Sequence, residues 1–503
     1  MHRKTTMALA LFGVLAIYGF WRFVIDAGNT GPPTLSEETT FVTDIKFVNE
    51  QGYVDYHAAL NSWRSEGIGR DENACVDLFR FFGPRDYDPG HWEACWKLIS
   101  DAPLPTGPFF ELVLSSGRPA LMPENYEAQE RPWRDEEFPE LLQWINENSE
   151  VMPHLFNATG KKRFYYPEYL EGRDGLLLGR KLTNNQHVRE VARFLSIRAM
   201  NHLANDRIDE CMTDLIAIRS LSRLIEQKGY LIEHLVGRAV SDIATWNERI
   251  LLSTGKLDSL QIRDYIQRLD QLIPFNNLAV SVNRAERCSA LSSIQYVRNN
   301  GFGDLVGSND GAFNTSTSFD IDVAMRQVNE RFDVVVDITQ AEINNEQDAS
   351  IAHPYDELND WERELTGFAI MARAFLGGAK TRGKFVGQAV ADMSLPGIAI
   401  VSRSNRRVLA TARMSRLAFV LEAYRLNNDE LPNSLEQLEI ADDQQDLMID
   451  PFTQQLFKFE RKETGFRLYS LGENGIDDKG LSSFDDGVSE TADDVPFEVG
   501  NFE

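Results

Sequence analysis

The chain has 503 residues, 43% hydrophobic and 25% charged, a balance that excludes global disorder. Its formal charge is −26, and Asn427 to Glu503 holds 20 acidic against 5 basic residues, so that stretch alone carries −15. Such an acidic surface repels nucleic acid and anionic lipid and suits divalent cations, which excludes nucleic acid as a partner.

Residues 1–26 read as a signal anchor. Arg3 and Lys4 precede an apolar run, Met7 to Trp21, which continues past Arg22 to Ile25. That is about the length of a membrane helix, with positive charge on its short flank. Asp26-Ala27-Gly28 is a poor cleavage site, so an uncleaved transmembrane helix is preferred to a removed signal peptide. The expectation is a single-pass protein of the inner membrane, with the bulk of the chain on the periplasmic side. Residues 27–45, with Gly31-Pro32-Pro33, read as a polar linker.

Residues 46–180 form an aromatic-rich, mainly helical region. Short helices are expected at Tyr53–Ser65, Asn73–Phe82 and Phe138–Asn148. The aromatics, Trp92, Trp96 and Trp144 among them, are assigned to core packing and not to a ligand cage. Export permits disulfides. Cys75 and Cys95 lie close enough in sequence to pair, and the other reading is four buried thiols, since no spacing matches a zinc site.

Residues 181–400 read as a helical domain. Val188, Val191, Leu195, Ala199 and His202 recur at helical steps. Asn205-Asp206 turns the chain into a helix from Ile208 to Gln227 that Gly229 stops. A third helix spans Leu231–Leu252, and a fourth starts at the N-cap Asp258. The first pair resembles a tetratricopeptide hairpin, but no copy follows at that repeat's period, so an irregular bundle or short solenoid of helix hairpins is expected. Further helices are expected at Leu278–Asn299, Asp320–Asn345 and Tyr355–Leu376. A mobile loop is expected at Asn300–Ser318 and a flexible joint at Gly377, Gly378 and Gly383.

Residues 401–503 read as a small α+β module. A helix, Val408–Leu426, is followed by Leu431-Pro432-Asn433-Ser434-Leu435, a turn at Asp450-Pro451-Phe452, and a hairpin of Leu456–Glu460 with Phe466–Leu471. This series, with Tyr469-Ser470-Leu471-Gly472 and Asn474-Gly475, resembles the globular part of the major pseudopilin of type II secretion systems. Glycine does not follow Asp-Pro-Phe here, and Asn474 stands where that family carries an acid. The whole chain resembles a group of membrane-anchored proteins typical of planctomycete-type bacteria. That resemblance rests on Asn73-Ala74-Cys75-Val76, Phe164-Tyr165-Tyr166-Pro167, Leu235-Val236-Gly237-Arg238-Ala239 and Arg284-Ala285-Glu286-Arg287, and it implies architecture and compartment only.

The pseudopilin resemblance implies a calcium site in the loop after the Tyr-Ser motif. Asp477, Asp478, Asp485, Asp486, Asp493 and Asp494 are its candidate ligands, hard oxygens at spacings that do not fit an EF-hand. The other reading is a solvated acidic loop. His-Glu-x-x-His, Gly-x-Ser-x-Gly and a phosphate-binding glycine loop are all missing from the sequence. The eight histidines, His202 and His234 on helices among them, have no partner at ligand spacing. The expected function is a structural or interaction protein of the cell envelope, docking protein partners. The alternative is an extracytoplasmic hydrolase with a dispersed site in the N-terminal half.

Overall fold

A computed structural model describes residues 13–14, 16–20, 28–84, 89–112, 122–168, 176–177, 183–301, 319–344, 377–483, 485, 488–489 and 491–500. Among the described residues the protein is mainly helical with one small three-stranded sheet. In the N-terminal region run α1 (Tyr56–Ser65), α2 (Ala74–Phe82), α3 (Pro89–Ile99), α4 (Met122–Glu130), α5 (Pro139–Glu147) and α6 (Met152–Gly160). The expected helices correspond to α1, α2 and α5. Helices α3 and α6 escaped the periodicity because each opens on a proline-containing turn, where Pro is tolerated since first-turn N–H groups have no intrahelical partner. The aromatics are core: Phe79 lies 6.1 Å from the Trp92 and Trp96 rings, and Phe194 packs edge-on against Phe110 and Trp144.

The central bundle comprises α7 (Thr183–Ala204), α8 (Ile208–Ile225), α9 (Leu231–Ser253) and α10 (Ser259–Asp270). Asp258 caps α10 as its sequence implies, accepting from the N–H groups of Leu260 and Gln261 at 2.8 Å each. The turn after α8 places Lys228, and not the expected Gly229, at positive φ. Next come α11 (Leu278–Ser281), a π-helical turn at Val282–Glu286, α12 (Arg287–Asn300) and α13 (Ile321–Ile343). Of the loop expected at Asn300–Ser318, Asn300 is the last residue of α12, and residues 302–318, like the expected helix Tyr355–Leu376, lie outside the described residues.

The longest element is α14 (Ala379–Asn428), and it runs through the boundary expected at 400/401. Its first half, including Val390, Leu395 and Ile398, belongs to one hydrophobic core with α11–α13. Its second half, Met414 to Leu421, belongs to a larger core shared by the bundle, the aromatic region and the sheet. It continues through Pro396, which is exposed, while Leu395 and Ile398 are buried beside it; their burial offsets the backbone hydrogen bond that proline cannot make. Gly383 is no joint. A Cβ there would lie 2.4 Å from the Asp320 carbonyl oxygen, and one at Gly387 2.3 Å from that of Ala324. These glycines let α14 lie against the backbone of α13.

Among the described residues α14 is the one helix long and apolar enough to cross a membrane, and its packing on α9 and α13 makes it a core helix. Of the expected anchor, residues 13–14 and 16–20 are described; they are helical, with Val14, Ile17 and Phe20 exposed. The segment expected as a linker does not stand free from Gly28 on. It docks along the body as a strap, through Asn29 and Thr34 to the Asp322 carboxylate and through the Glu38 and Thr39 carbonyls to Asn329. Polar groups supply much of this attachment, and Pro33, which is buried, with Phe41 and Val42, which pack on the core, supply the rest.

The sheet order is β1 (Lys458–Lys462), β2 (Gly465–Ser470), β3 (Val495–Val499), all antiparallel. The first two strands are the expected hairpin. The third was hidden in the acidic tail, although Val495, Phe497 and Val499 alternate and are buried. Pro496 argues against a central strand and is accommodated because β3 lies at the edge. The sheet reaches α9 through the Ser253 hydroxyl, which accepts from the Gly500 N–H at 3.1 Å.

A candidate cation site in the β2–β3 loop

Strand β2 ends in Tyr469-Ser470, and the chain then turns at Gly472, whose φ is +63°. The loop returns through Asp493 and Asp494 into β3. Asp478, Asp493 and Asp494 each bring one carboxylate oxygen to within 4.8 Å of the others. Asp494 is 0% exposed; its Oδ2 accepts from the Gly480 N–H at 2.8 Å, and its Oδ1 has no donor. Asp493 Oδ2 accepts from the N–H groups of Glu473 (2.8 Å) and Asn474 (3.1 Å), and its Oδ1 likewise has none. Asp478 Oδ2 is the third buried oxygen without a partner. A Cβ at Gly472 would sit 2.5 Å from Asp493 Oδ1, so glycine there leaves room for that carboxylate.

Buried carboxylate oxygens without donors are costly, and three side by side repel one another. Burial pushes the Asp494 carboxyl up to about 6, with the charges of Asp478 and Asp477 adding to it and the Gly480 N–H opposing. Burial raises Asp493 as well, with Asp478 contributing. Three hard anionic oxygens are of the kind that a divalent oxygen-seeking cation takes, and they are fewer than the roughly six to eight oxygens that calcium binds.

Of the sequence candidates the fold therefore gathers Asp478, Asp493 and Asp494. Asp477 turns away to the Tyr469 hydroxyl at 3.2 Å and the Lys479 N–H at 3.0 Å. Asp485 accepts from the Ser482 N–H at 2.7 Å and is exposed. Asp486 lies outside the described residues. Sequence reading missed Asp450, which is 1% exposed and sustains the loop from below. Its Oδ1 accepts from the Ser470 hydroxyl and the Phe452 N–H at 2.9 Å each, and its Oδ2 from the Leu471 N–H at 3.2 Å. The aspartate of the Asp-Pro-Phe turn thus holds the Tyr-Ser-Leu-Gly corner, a link between two motifs read separately.

A second polar constellation lies in the body. The Ser281 hydroxyl is 2.9 Å from His234 Nε2, and Glu226 Oε2 is 3.9 Å from His234 Nδ1. Residue types and order suit nucleophilic catalysis, but Ser281 and His234 are both fully buried, which gives a substrate no path to the hydroxyl. Burial holds His234 down to about 3, so it is neutral. The other helical histidine, His202, is likewise pushed down to about 3 by burial, beside Arg198 and Arg207. Both act as polar contacts between helices. Glu248 is the third buried hub: it pairs with Arg219, accepts from the Tyr265 hydroxyl at 2.7 Å and from Ser415, and so joins α8, α9, α10 and α14.

Fold and site together define a mainly helical protein that carries a small acidic module on its last helix. No family model, curated protein or solved structure matches the chain.

Proposed function

We propose that this is a membrane-anchored protein of the cell envelope that serves a structural or interaction role, with a pseudopilin-like C-terminal module that binds calcium. The convergence of three donor-less carboxylate oxygens from Asp478, Asp493 and Asp494 carries the reading. Three further features support it: the apolar Met7–Ile25 run with its basic flank, the acidic charge of the module, and the order of helix, Asp-Pro turn and antiparallel strands. In this reading Asp478, Asp493 and Asp494 hold the cation, which neutralises their repulsion and ties the β2–β3 loop to the edge strand. The helical body presents surfaces for protein partners on the periplasmic side, and no reaction is assigned to it.

The test is thermal melting of the full chain in detergent, with and without calcium. A native-state site with a Kd of about 0.1 mM contributes about 1.4 kcal/mol at about 1 mM calcium, and the melting temperature rises accordingly. The rise is lost in an Asp493→Asn, Asp494→Asn double variant. An unchanged melting temperature at that concentration overturns the calcium reading. Membrane-fraction pull-downs that recover no stable partner at native abundance overturn the interaction role.

A further inference from the structure

The docked strap creates a groove on the body, remote in sequence from the acidic module. It has a volume of about 910 Å³ and lies between the strap, α1, the π-helical turn and α13. One wall is held rigid, because Asn329 grips the Glu38 and Thr39 carbonyls and the Tyr56 hydroxyl donates to the Thr40 carbonyl at 2.9 Å. Preorganised walls lower the ordering cost of a ligand.

Three carboxylates on this groove, Glu37, Glu38 and Glu66, are exposed and have no ion-pair partner among the described residues. Three aromatic rings, Phe41, Phe47 and Trp63, lie among them. Each already carries a cation of this chain: Phe41 the guanidinium groups of Arg287 at 4.7 Å and Arg284 at 5.3 Å, Phe47 the Lys46 ammonium at 4.7 Å, and Trp63 the Lys228 ammonium at 5.5 Å. Arg284, an exposed residue, makes no hydrogen bond or ion pair among the described residues, so its donors remain open where it lines the groove. The turn that carries it is π-helical, a local widening of the helix that occurs frequently at functional sites. A chain of net charge −26 further concentrates cations at such a surface.

We infer that this groove binds a lysine- or arginine-bearing peptide segment of a partner protein. Its basic side chains pair with Glu37, Glu38 and Glu66, while its backbone carbonyls accept from Arg284. Charge-assisted hydrogen bonds supply the attraction. An acidic or purely apolar segment would leave the carboxylates unpaired or repelled. The assignment goes beyond the calcium reading and shares no residue with it, so the melting experiment above leaves it untouched.

The test uses the full chain in detergent and a fluorescein-labelled peptide of eight alternating lysine and alanine residues, read by fluorescence anisotropy. Saturable binding is expected. A Glu38→Gln, Glu66→Gln variant is expected to weaken it at least tenfold, and Arg284→Ala severalfold. The charge-matched control, Glu436→Gln with Glu439→Gln on the exposed surface of the C-terminal module, is expected to change it less than twofold. Equal weakening by both double variants means diffuse attraction to an acidic protein and overturns the proposal, as does absence of binding. Unchanged melting of each variant shows that a loss of binding is not a loss of fold.

Discussion

Asp450 Oδ1 accepts a hydrogen bond from the Ser470 hydroxyl at 2.9 Å, and this contact closes the C-terminal module. Asp450 comes from the turn before β1, and Ser470 is the last residue of β2. Because the same carboxylate also takes the Phe452 and Leu471 N–H groups, one buried side chain fixes both the turn and the corner that leads into the acidic loop. Asp450→Ala leaves these donors buried without an acceptor, at about 1–3 kcal/mol for each group. The variant should lose on the order of 3 kcal/mol or more in urea denaturation. Ser470→Ala, which removes one bond, should lose about 1 kcal/mol.

Gly472 and Gly475 offer a matched pair for the cation site. Both have positive φ, +63° and +64°, so alanine at either strains the backbone by about 1–2 kcal/mol. Only at Gly472 does the new Cβ also meet Asp493, 2.4 Å from its carbonyl oxygen; at Gly475 nothing lies within 4 Å. Gly472→Ala should therefore abolish most of the calcium-induced rise in melting temperature. Gly475→Ala should lower the baseline and keep the rise.

Glu226 gives the body a defined pH response. Burial pushes its carboxyl up to about 7 from 4.5, although Arg238 and Arg223 act to lower it. His234, the other titratable group facing it, stays neutral throughout this range. The folded protein thus holds a proton that the unfolded chain releases. The stability this proton confers is fully present below about pH 4.5 and is lost as pH rises through about 7. Glu226→Gln removes the titration. Relative to the parent protein, the variant should gain on the order of 2 kcal/mol between pH 5 and pH 8, measured by chemical denaturation at both pH values.

All four cysteines are buried free thiols, Cys75 and Cys95 included. Burial pushes Cys95 and Cys288 up to about 12, and it raises Cys75 and Cys211 as well. The thiol, not the reactive thiolate, is therefore the species present at neutral pH. The folded protein should show no rapidly titrating thiol with a disulfide reagent, and four after denaturation without reductant. Two fewer would mean that Cys75 and Cys95 are bridged.

Local chemistry made much of the architecture readable in advance. Apolar periodicity marked α7 to α10, Asp258 announced the start of α10, and the alternation around Phe459 and Leu468 marked the hairpin, because each depends on neighbours within a few residues. The acidic candidates were readable as a composition, but not which of them meet. Asp477 and Asp478 are adjacent in sequence, yet one faces the Tyr469 hydroxyl and the other the cluster.

The sequence by itself determined the mainly helical class, the small strand-bearing C-terminus and the charge that suits a cation. Tertiary structure alone decided that α14 is one helix serving two cores, that Gly383 is a close contact and not a hinge, and that the strap lies docked. It also decided that Asp493 and Asp494 return beside Asp478, because pairing of β3 with β2 draws the end of the tail back to the loop that leaves Ser470. Those outcomes depend on contacts between residues far apart in the chain. No local preference of the backbone encodes such contacts; only the joint burial of distant apolar faces, and of the polar groups carried with them, selects one arrangement.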